Sequence, residues 1–333
     1  MGIGWVARCA RTNQGCKRNK KMNTPKAVAE ELLALMHDRE EIKKALVELG
    51  AVVADDDGLS SYPEKIRRLK PARLKIFKDQ QCYQWKDEVL PDMEVDEGYT
   101  AANLSWVFGR CPNLVRVPDI LGIERAVNLE SFIQESVKVK TLTLPDLPNL
   151  TSMRSFAHKA SSLESVVVGA MPQNASLFYS FAECASLRSI TIGDIPKVTD
   201  VFAAFYACTK LQRVKLSLGG GMISNAQYLF DGCAMLEEVE GVIDLSVATN
   251  ISNLITRCPN LREIRLKGVG RDLIAFESVS LSLESVRYLI NEAKSVTSGT
   301  TMYLPQKLVD DHEEEMVELG EVASSKGWTI NYR

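Results

Sequence analysis

Along the middle of the chain the apolar positions return at a nearly fixed step. Phe181-Ala-Glu-Cys-Ala-Ser-Leu187-Arg-Ser-Ile190-Thr-Ile192 is one complete copy. The counterparts of Cys184 are Cys111, Ser136, Ala160, Cys208, Cys233 and Cys258, at intervals of 24 or 25 residues. Three residues beyond each lies an aliphatic (Leu114, Val139, Leu163, Leu187, Leu211, Leu236, Leu261), and three further on another (Val117, Leu142, Val166, Ile190, Val214, Val239, Ile264). In most copies a third follows two residues later, as at Leu144, Val168, Ile192, Leu216 and Leu266. A unit this short cannot bury its apolar face alone, so the period predicts a solenoid of about seven stacked 24–25-residue repeats over residues 99–270. Within a copy, Leu187, Ile190 and Ile192 point inward from a short strand, which turns Ser189 and Thr191 outward.

The spelling F-x-x-C-x-x-L-x-x-I-x-I resembles the BspA-like leucine-rich repeats of bacterial surface proteins and some phage proteins. Phe108/Cys111/Leu114, Phe181/Cys184/Leu187, Phe205/Cys208/Leu211 and Phe230/Cys233/Leu236 match it in full. Phe132 and Phe156 sit one residue further upstream, which predicts local bulging, and Ile255 replaces Phe in the last copy. The fold expected is an α/β repeat, a leucine-rich-repeat solenoid with a helical N-terminal module and an α/β C-terminal cap. Its strands would present two outward columns: Arg116, Thr141, Ser165, Ser189, Arg213, Glu238, Glu263, and Pro118, Thr143, Val167, Thr191, Lys215, Glu240, Arg265. The surface reads hydroxyl-rich in the middle, basic at the fifth repeat and acidic at the sixth and seventh. A solenoid sheet is an extended recognition surface, so the polar members of these columns are the candidate binding residues.

The flanks follow other periods. Residues 24–50 read as a helix opened by Thr24 and Pro25 and closed by Gly50. Val28, Leu32, Leu35, Ile42, Leu46 and Leu49 form its apolar seam, suited to packing on the next helix or to homo-oligomer formation. A second short helix ending at Leu69 completes a module over 22–70. Leu59, Tyr62, Lys65 and Ile66 give it a resemblance to the L-x-x-Y-x-x-K-I module of phage tail-fibre and minor structural proteins, where a C-terminal display domain follows. Residues 71–98 read as an N-terminal cap, with strands at Leu74–Phe77 and Cys82–Trp85. Residues 271–333 read as the C-terminal cap: a helix over 281–293, a strand at Thr301–Leu304, a helix from Gln306 to about Ser325, and a strand at Trp328–Tyr332. Glu313, Glu314, Glu315, Glu318 and Glu321 form the solvated face of that second helix.

Charge and composition narrow the function. A net charge of −3 over 333 residues gives no global attraction to nucleic acid. The basic leader over 1–21 (Arg8, Arg11, Lys17, Arg18, Lys20, Lys21) carries no acid, lacks the apolar core of a secretory signal, and has Val6 where a myristoylation motif requires Ser or Thr. No stretch is long enough to span a bilayer. Five of the eight cysteines share one repeat column, where side chains stacked in register point the same way, so reduced thiols packed as small hydrophobes are expected.

No metal or cofactor site is written in the chain. His37, His158 and His312 stand far apart with no Cys or His at ligand spacing. Asp55-Asp-Asp-Gly58 lacks the alternate spacing and distal Glu of a calcium loop, and Leu218-Gly-Gly-Gly-Met222 lacks the Lys of a phosphate loop. Nucleophile-elbow and zinc-hydrolase motifs are missing as well. Asn103, Asn149, Asn174 and Asn250 open Asn-x-Ser/Thr triplets that read as chance matches in turns. The expectation is a non-enzymatic binding protein. Joined, the two resemblances imply a phage virion component, of tail or fibre, that contacts a protein or glycan of a host surface and other virion proteins; the alternative is a bacterial cell-surface or secreted adhesin.

Overall fold

The computed structural model describes residues 74–76 and 78–333, apart from 219, 276, 279 and 298. The chain divides into two units, Met1–Leu74 and Lys75–Arg333. The helix expected over 24–50, the module ending near residue 70 and the basic leader lie outside the described residues.

The repeats build a six-stranded, wholly parallel sheet in chain order: β6 (Thr141–Leu144), β7 (Ser165–Val168), β8 (Ser189–Ile192), β9 (Arg213–Lys215), β10 (Glu238–Asp244) and β11 (Glu263–Lys267). The predicted alternation holds, with Leu142, Val166, Ile190, Val214, Val239 and Ile264 buried and their neighbours facing out. The copy that opens at Cys111 contributes a turn but no strand, because Pro118 has no N–H to give a ladder. Instead β4 (Ile120–Leu121) joins β1 (Leu74–Ile76) and β2 (Met93–Val95) in a small N-terminal sheet, while β3 (Ala102–Asn103) pairs with β5 (Ala126–Asn128).

The other limb of each turn is held in an unusual way. In every copy the residues one and five before the cysteine slot lie in the left-handed region: Trp106 and Arg110, Ser131 and Glu135, Ser155 and Lys159, Tyr179 and Glu183, Ala203 and Ala207, Tyr228 and Gly232, Asn253 and Arg257. This conformation directs alternate N–H groups along the solenoid axis. Tyr179, Phe181 and Glu183 donate to the carbonyls of Phe202, Ala204 and Tyr206 in the next turn at 3.0, 2.9 and 2.7 Å. Phe132 and Phe156 do not bulge this pattern. Ser131, Ile133 and Glu135 donate at the same three steps, to Arg154, Phe156 and His158, each at 2.9 Å. The aromatic simply enters the core from the neighbouring buried position, and Phe108, Phe132, Phe156, Phe181, Phe205 and Phe230 form one continuous column with centroids 5.0–5.7 Å apart.

The pattern extends one turn further than the repeat spelling. Gln80 and Gln84 also have positive φ, and Gln80, Cys82 and Gln84 donate to Ser105, Val107 and Gly109. Cys82–Trp85 is therefore a degenerate first turn and not the strand expected there; Cys82 fills the Phe slot and covers the open end of the column.

The cysteine slot is a donor column. Cys184, Cys208, Cys233 and Cys258 place Sγ 3.0–3.1 Å from a carbonyl of the preceding turn (Ala157, Phe181, Phe205 and Phe230), and Cys111 does the same to Cys82 at 3.1 Å. Ser136 Oγ donates to the Phe108 carbonyl at 2.5 Å, which is why Ser shares the slot. The thiols are free and buried. Desolvation drives their acidity down, raising Cys82, Cys208 and Cys258 to about 12 and Cys111 to about 11. A third column lies eight residues before the slot. Asn103, Asn128, Ser152, Ser176, Asp200, Asn225 and Asn250 each accept from the N–H two residues on, at 2.8–3.4 Å. Asn103 and Asn250, which open glycosylation-like triplets, are thus turn-forming residues.

Beyond β11 the fold closes. Ser278 and Leu281 repeat the cysteine and leucine slots, and Ser278 Oγ reaches the Ile255 carbonyl at 3.5 Å. Helix α1 (Leu283–Glu292), N-capped by Ser282, then covers the sheet edge, with Ser285 Oγ accepting from Ile264 N at 3.0 Å. On the other limb the Glu277 carboxylate accepts the Arg257 N–H at 2.6 Å, where a further turn would offer a carbonyl. β12 (Leu273–Ile274), β13 (Thr300–Leu304) and β14 (Trp328–Tyr332) make a separate parallel sheet. The helix expected from Gln306 is two, α2 (Lys307–Asp311) and α3 (Glu313–Ser325), broken at His312.

Two measurements check this account. Ala207 and Gly232 hold equivalent left-handed positions, with φ 57° and 80°. Ala207→Gly is expected to raise, and Gly232→Ala to lower, stability by about 0.5–1 kcal/mol in denaturant melts. At pH 8 a thiol reagent is expected to titrate at most Cys9 and Cys16 in the native chain and all eight cysteines after denaturation, since six are free, buried and protonated.

Candidate functional site

The face of the six-stranded sheet carries the outward residues in the expected register. Thr141, Ser165, Ser189, Arg213, Glu238 and Glu263 stand opposite one another strand by strand. Thr143, Val167, Thr191, Lys215 and Glu240 form the second column. All are exposed except Ser165 and Thr191, which are half-buried. Adjacent strands in a sheet lie roughly 4.8 Å apart, so each column is a row of side chains at that spacing.

Two predicted site residues fall elsewhere, as does Pro118. Arg116 lies outside the sheet, its guanidinium 4.0 Å from Asp92. Arg265 does not follow Glu240, because β10 bulges between Glu238 and Val242 and pairs Val242 with Arg265. Gly241 makes the bulge, at φ 116°, where a Cβ would stand 2.3 Å from the Leu216 carbonyl oxygen. The sequence signal was present: a lone Gly inside a strand pattern marks a bulge.

Charge is arranged between neighbouring turns. Lys215 Nζ meets Glu240 Oε1 at 2.6 Å, Lys140 meets Glu164 at 3.6 Å and Arg262 meets Glu237 at 3.1 Å. Glu238 and Glu263 are direct cross-strand neighbours, an unfavourable pairing. Ser285 Oγ, 3.2 Å from Glu263 Oε2 in the first turn of α1, draws the second carboxylate towards the positive end of that helix. Arg265 turns to the Tyr288 ring at 5.9 Å. Among the described residues Arg213 forms no ion pair, so it stands as a cation available to a ligand between the hydroxyl rows and the acidic end.

The side chains of this face are hydroxyls, carboxylates and cations spread over a parallel ladder. Among the described residues no group of three His, Cys, Asp or Glu is placed to hold a metal ion, and no helix is long and apolar enough to cross a membrane.

Comparison with known proteins agrees with the repeat. A model of the BspA type leucine rich repeat region, in six copies, matches residues 106–217 and 176–291. Among solved structures, a leucine-rich repeat protein from Bacteroides ovatus ATCC 8483 is 13% identical, covering 85% of this chain and 90% of that one, with a TM-score of 0.25. A leucine-rich repeat protein from Eubacterium ventriosum ATCC 27560 is 12% identical, covering 75% of this chain and 80% of that one, also with a TM-score of 0.25. No curated protein matches. The matched repeats span more than half of the residues, and the chain belongs to the BspA-type leucine-rich-repeat family.

Proposed function

We propose that the chain is a non-enzymatic binding protein whose sheet face is the recognition surface, and that it serves as a phage tail or fibre component contacting a protein or glycan of the host surface. One observation carries the first half. The two outward columns, from Thr141 to Glu263 and from Thr143 to Glu240, are mostly exposed, in register and chemically graded, while the inward residues hold the solenoid together. A surface that does no packing work is free to vary for a ligand. The second half rests on the resemblance of Leu59, Tyr62, Lys65 and Ile66 to the phage module, whose place would be to join the display domain to other virion proteins. The family of the repeats supports equally a bacterial cell-surface or secreted adhesin, the second reading.

Both halves are open to measurement. Arg213→Ser with Lys215→Thr extends the hydroxyl rows by one turn. It is expected to weaken binding to host cells at least ten-fold while leaving the denaturation midpoint nearly unchanged, as surface substitutions do. Undiminished binding would remove the sheet face as the site. Mass spectrometry of purified virions from the producing strain is expected to find the chain among the structural proteins; its recovery from the cell envelope instead would establish the adhesin reading.

A further inference from the structure

On the limb of the turns opposite the sheet, the left-handed segments carry a strip of aromatic side chains. Phe178, Tyr179, Phe202, Tyr206 and Tyr228 come from three successive turns and are all half-buried. The solenoid does not require them. The position of Phe178 and Phe202 is filled in other turns by Ser105, Glu130, Arg154, Gln227 and Ser252, with the same backbone ladder.

The rings are stacked along the axis. The Arg154 guanidinium lies 4.2 Å over Phe178, Phe178 stacks on Phe202 at 5.2 Å and 17°, and Tyr228 meets Phe202 at 5.8 Å and 89°. Tyr179 and Tyr206 flank this row. The stacked faces of Phe178 and Phe202 are thus used within the chain. A sugar ring or a base, which stacks on open faces, finds no platform on that pair. Half-buried aromatic side chains suit the side chains of another protein, and such residues are enriched in protein interfaces.

The charges at the two ends identify that protein. At one end Lys159 Nζ is 3.8 Å from Glu183 Oε1 and His158 Nε2 is 3.2 Å from it, which leaves Arg154 as the cation without a carboxylate. At the other, Arg257 holds the buried Asp231 carboxylate with two bonds of 2.9 and 2.7 Å, which leaves Glu277 as the acid without a cation. Among the described residues neither Arg154 nor Glu277 forms an ion pair. They stand five turns apart on the ladder, about 24 Å at the usual strand spacing. The midpoint falls between the turns of Phe202 and Tyr228. A surface that is cationic at one end, apolar at its centre and acidic at the other is complementary to itself after a two-fold rotation, as an isologous interface must be.

We propose that this strip is a homodimer contact. Two copies pack antiparallel across a two-fold axis, with Phe202 of each against Tyr228 of the other and Arg154 of each against Glu277 of the other. The contact is independent of the sheet face, which stays open on both copies and is thereby presented twice. A patch of this length gives an interface at the small end of the range, with a dissociation constant of roughly micromolar order.

Sedimentation equilibrium of the full chain over a concentration series tests it. The wild-type mass is expected to rise from the 37.0 kDa of one chain towards twice that value. Phe202→Ser and Arg154→Glu should each raise the dissociation constant at least ten-fold, with circular dichroism melts confirming the fold. Glu277→Gln, which keeps an acceptor for the Arg257 N–H, should recover part of the loss when added to Arg154→Glu, because it removes the new repulsion. A wild-type chain that stays monomeric up to about 1 mM, a range in which even weak contacts populate, would overturn the proposal and leave the strip to a partner of other chemistry. So would a dimer that survives both single substitutions, such as one held by the apolar seam over 28–49, or a double variant no better than Arg154→Glu alone.

Discussion

Everything in this solenoid depends on backbone donors that a turn cannot satisfy by itself. Two residues per turn adopt the left-handed conformation, at a cost of about 1–2 kcal/mol each for a residue with a Cβ. In return three N–H groups point at the next turn, and each bond contributes about 0.5–1.5 kcal/mol net. The two terms are of similar size, so the ladder fixes geometry more than it adds stability. Stability comes from the apolar side chains the geometry stacks: the phenylalanine column and three aliphatics per copy, each worth roughly 1.5–3 kcal/mol when buried.

That division of labour explains the columns. Positions whose side chains bond to the backbone of the same or the preceding turn are chemically narrow: Cys or Ser at the thiol slot in six of seven copies, and Asn, Asp or Ser at the turn slot in all seven. Positions facing out from β6–β11 make no bond to the backbone ladder and range over Thr, Ser, Val, Arg, Lys and Glu. The five aromatic residues of the opposite strip are equally free of the ladder, since the left-handed backbone is formed whether Tyr179 or Ala203 occupies the position.

Much of this was legible in the sequence and some was not, for identifiable reasons. The period and the inward aliphatics were plain because burial restricts residue type, and the outward register of five strands followed from alternation alone. The role of the cysteines was half legible: their column was visible, but Ser136 in the same slot was the sign of a hydrogen bond and not only of small size. The left-handed positions left little trace: Gly232 and Asn253 hint at them, but Trp106, Arg110, Glu183 and Ala207 occupy the equivalent places. The displaced Phe132 and Phe156 suggested a bulge because spacing reports where a side chain leaves the backbone, whereas packing depends on where it arrives. Arg116 was assigned to a strand by extrapolating the period past Pro118, which cannot donate to it.

Glu277 has a meaning beyond its one bond. Any internal turn presents carbonyls on one side and N–H groups on the other, so a copy inserted between two others meets the same chemistry on both faces and changes nothing at its borders. The final turn is different, because there a carboxylate and Ser285 of α1 stand in for a further turn. The length of the array is therefore written in its terminator. Repeats can be added or lost anywhere upstream by duplication of a 24- or 25-residue unit, provided that the segment carrying Glu277, Ser282 and Ser285 remains attached to whichever turn comes last.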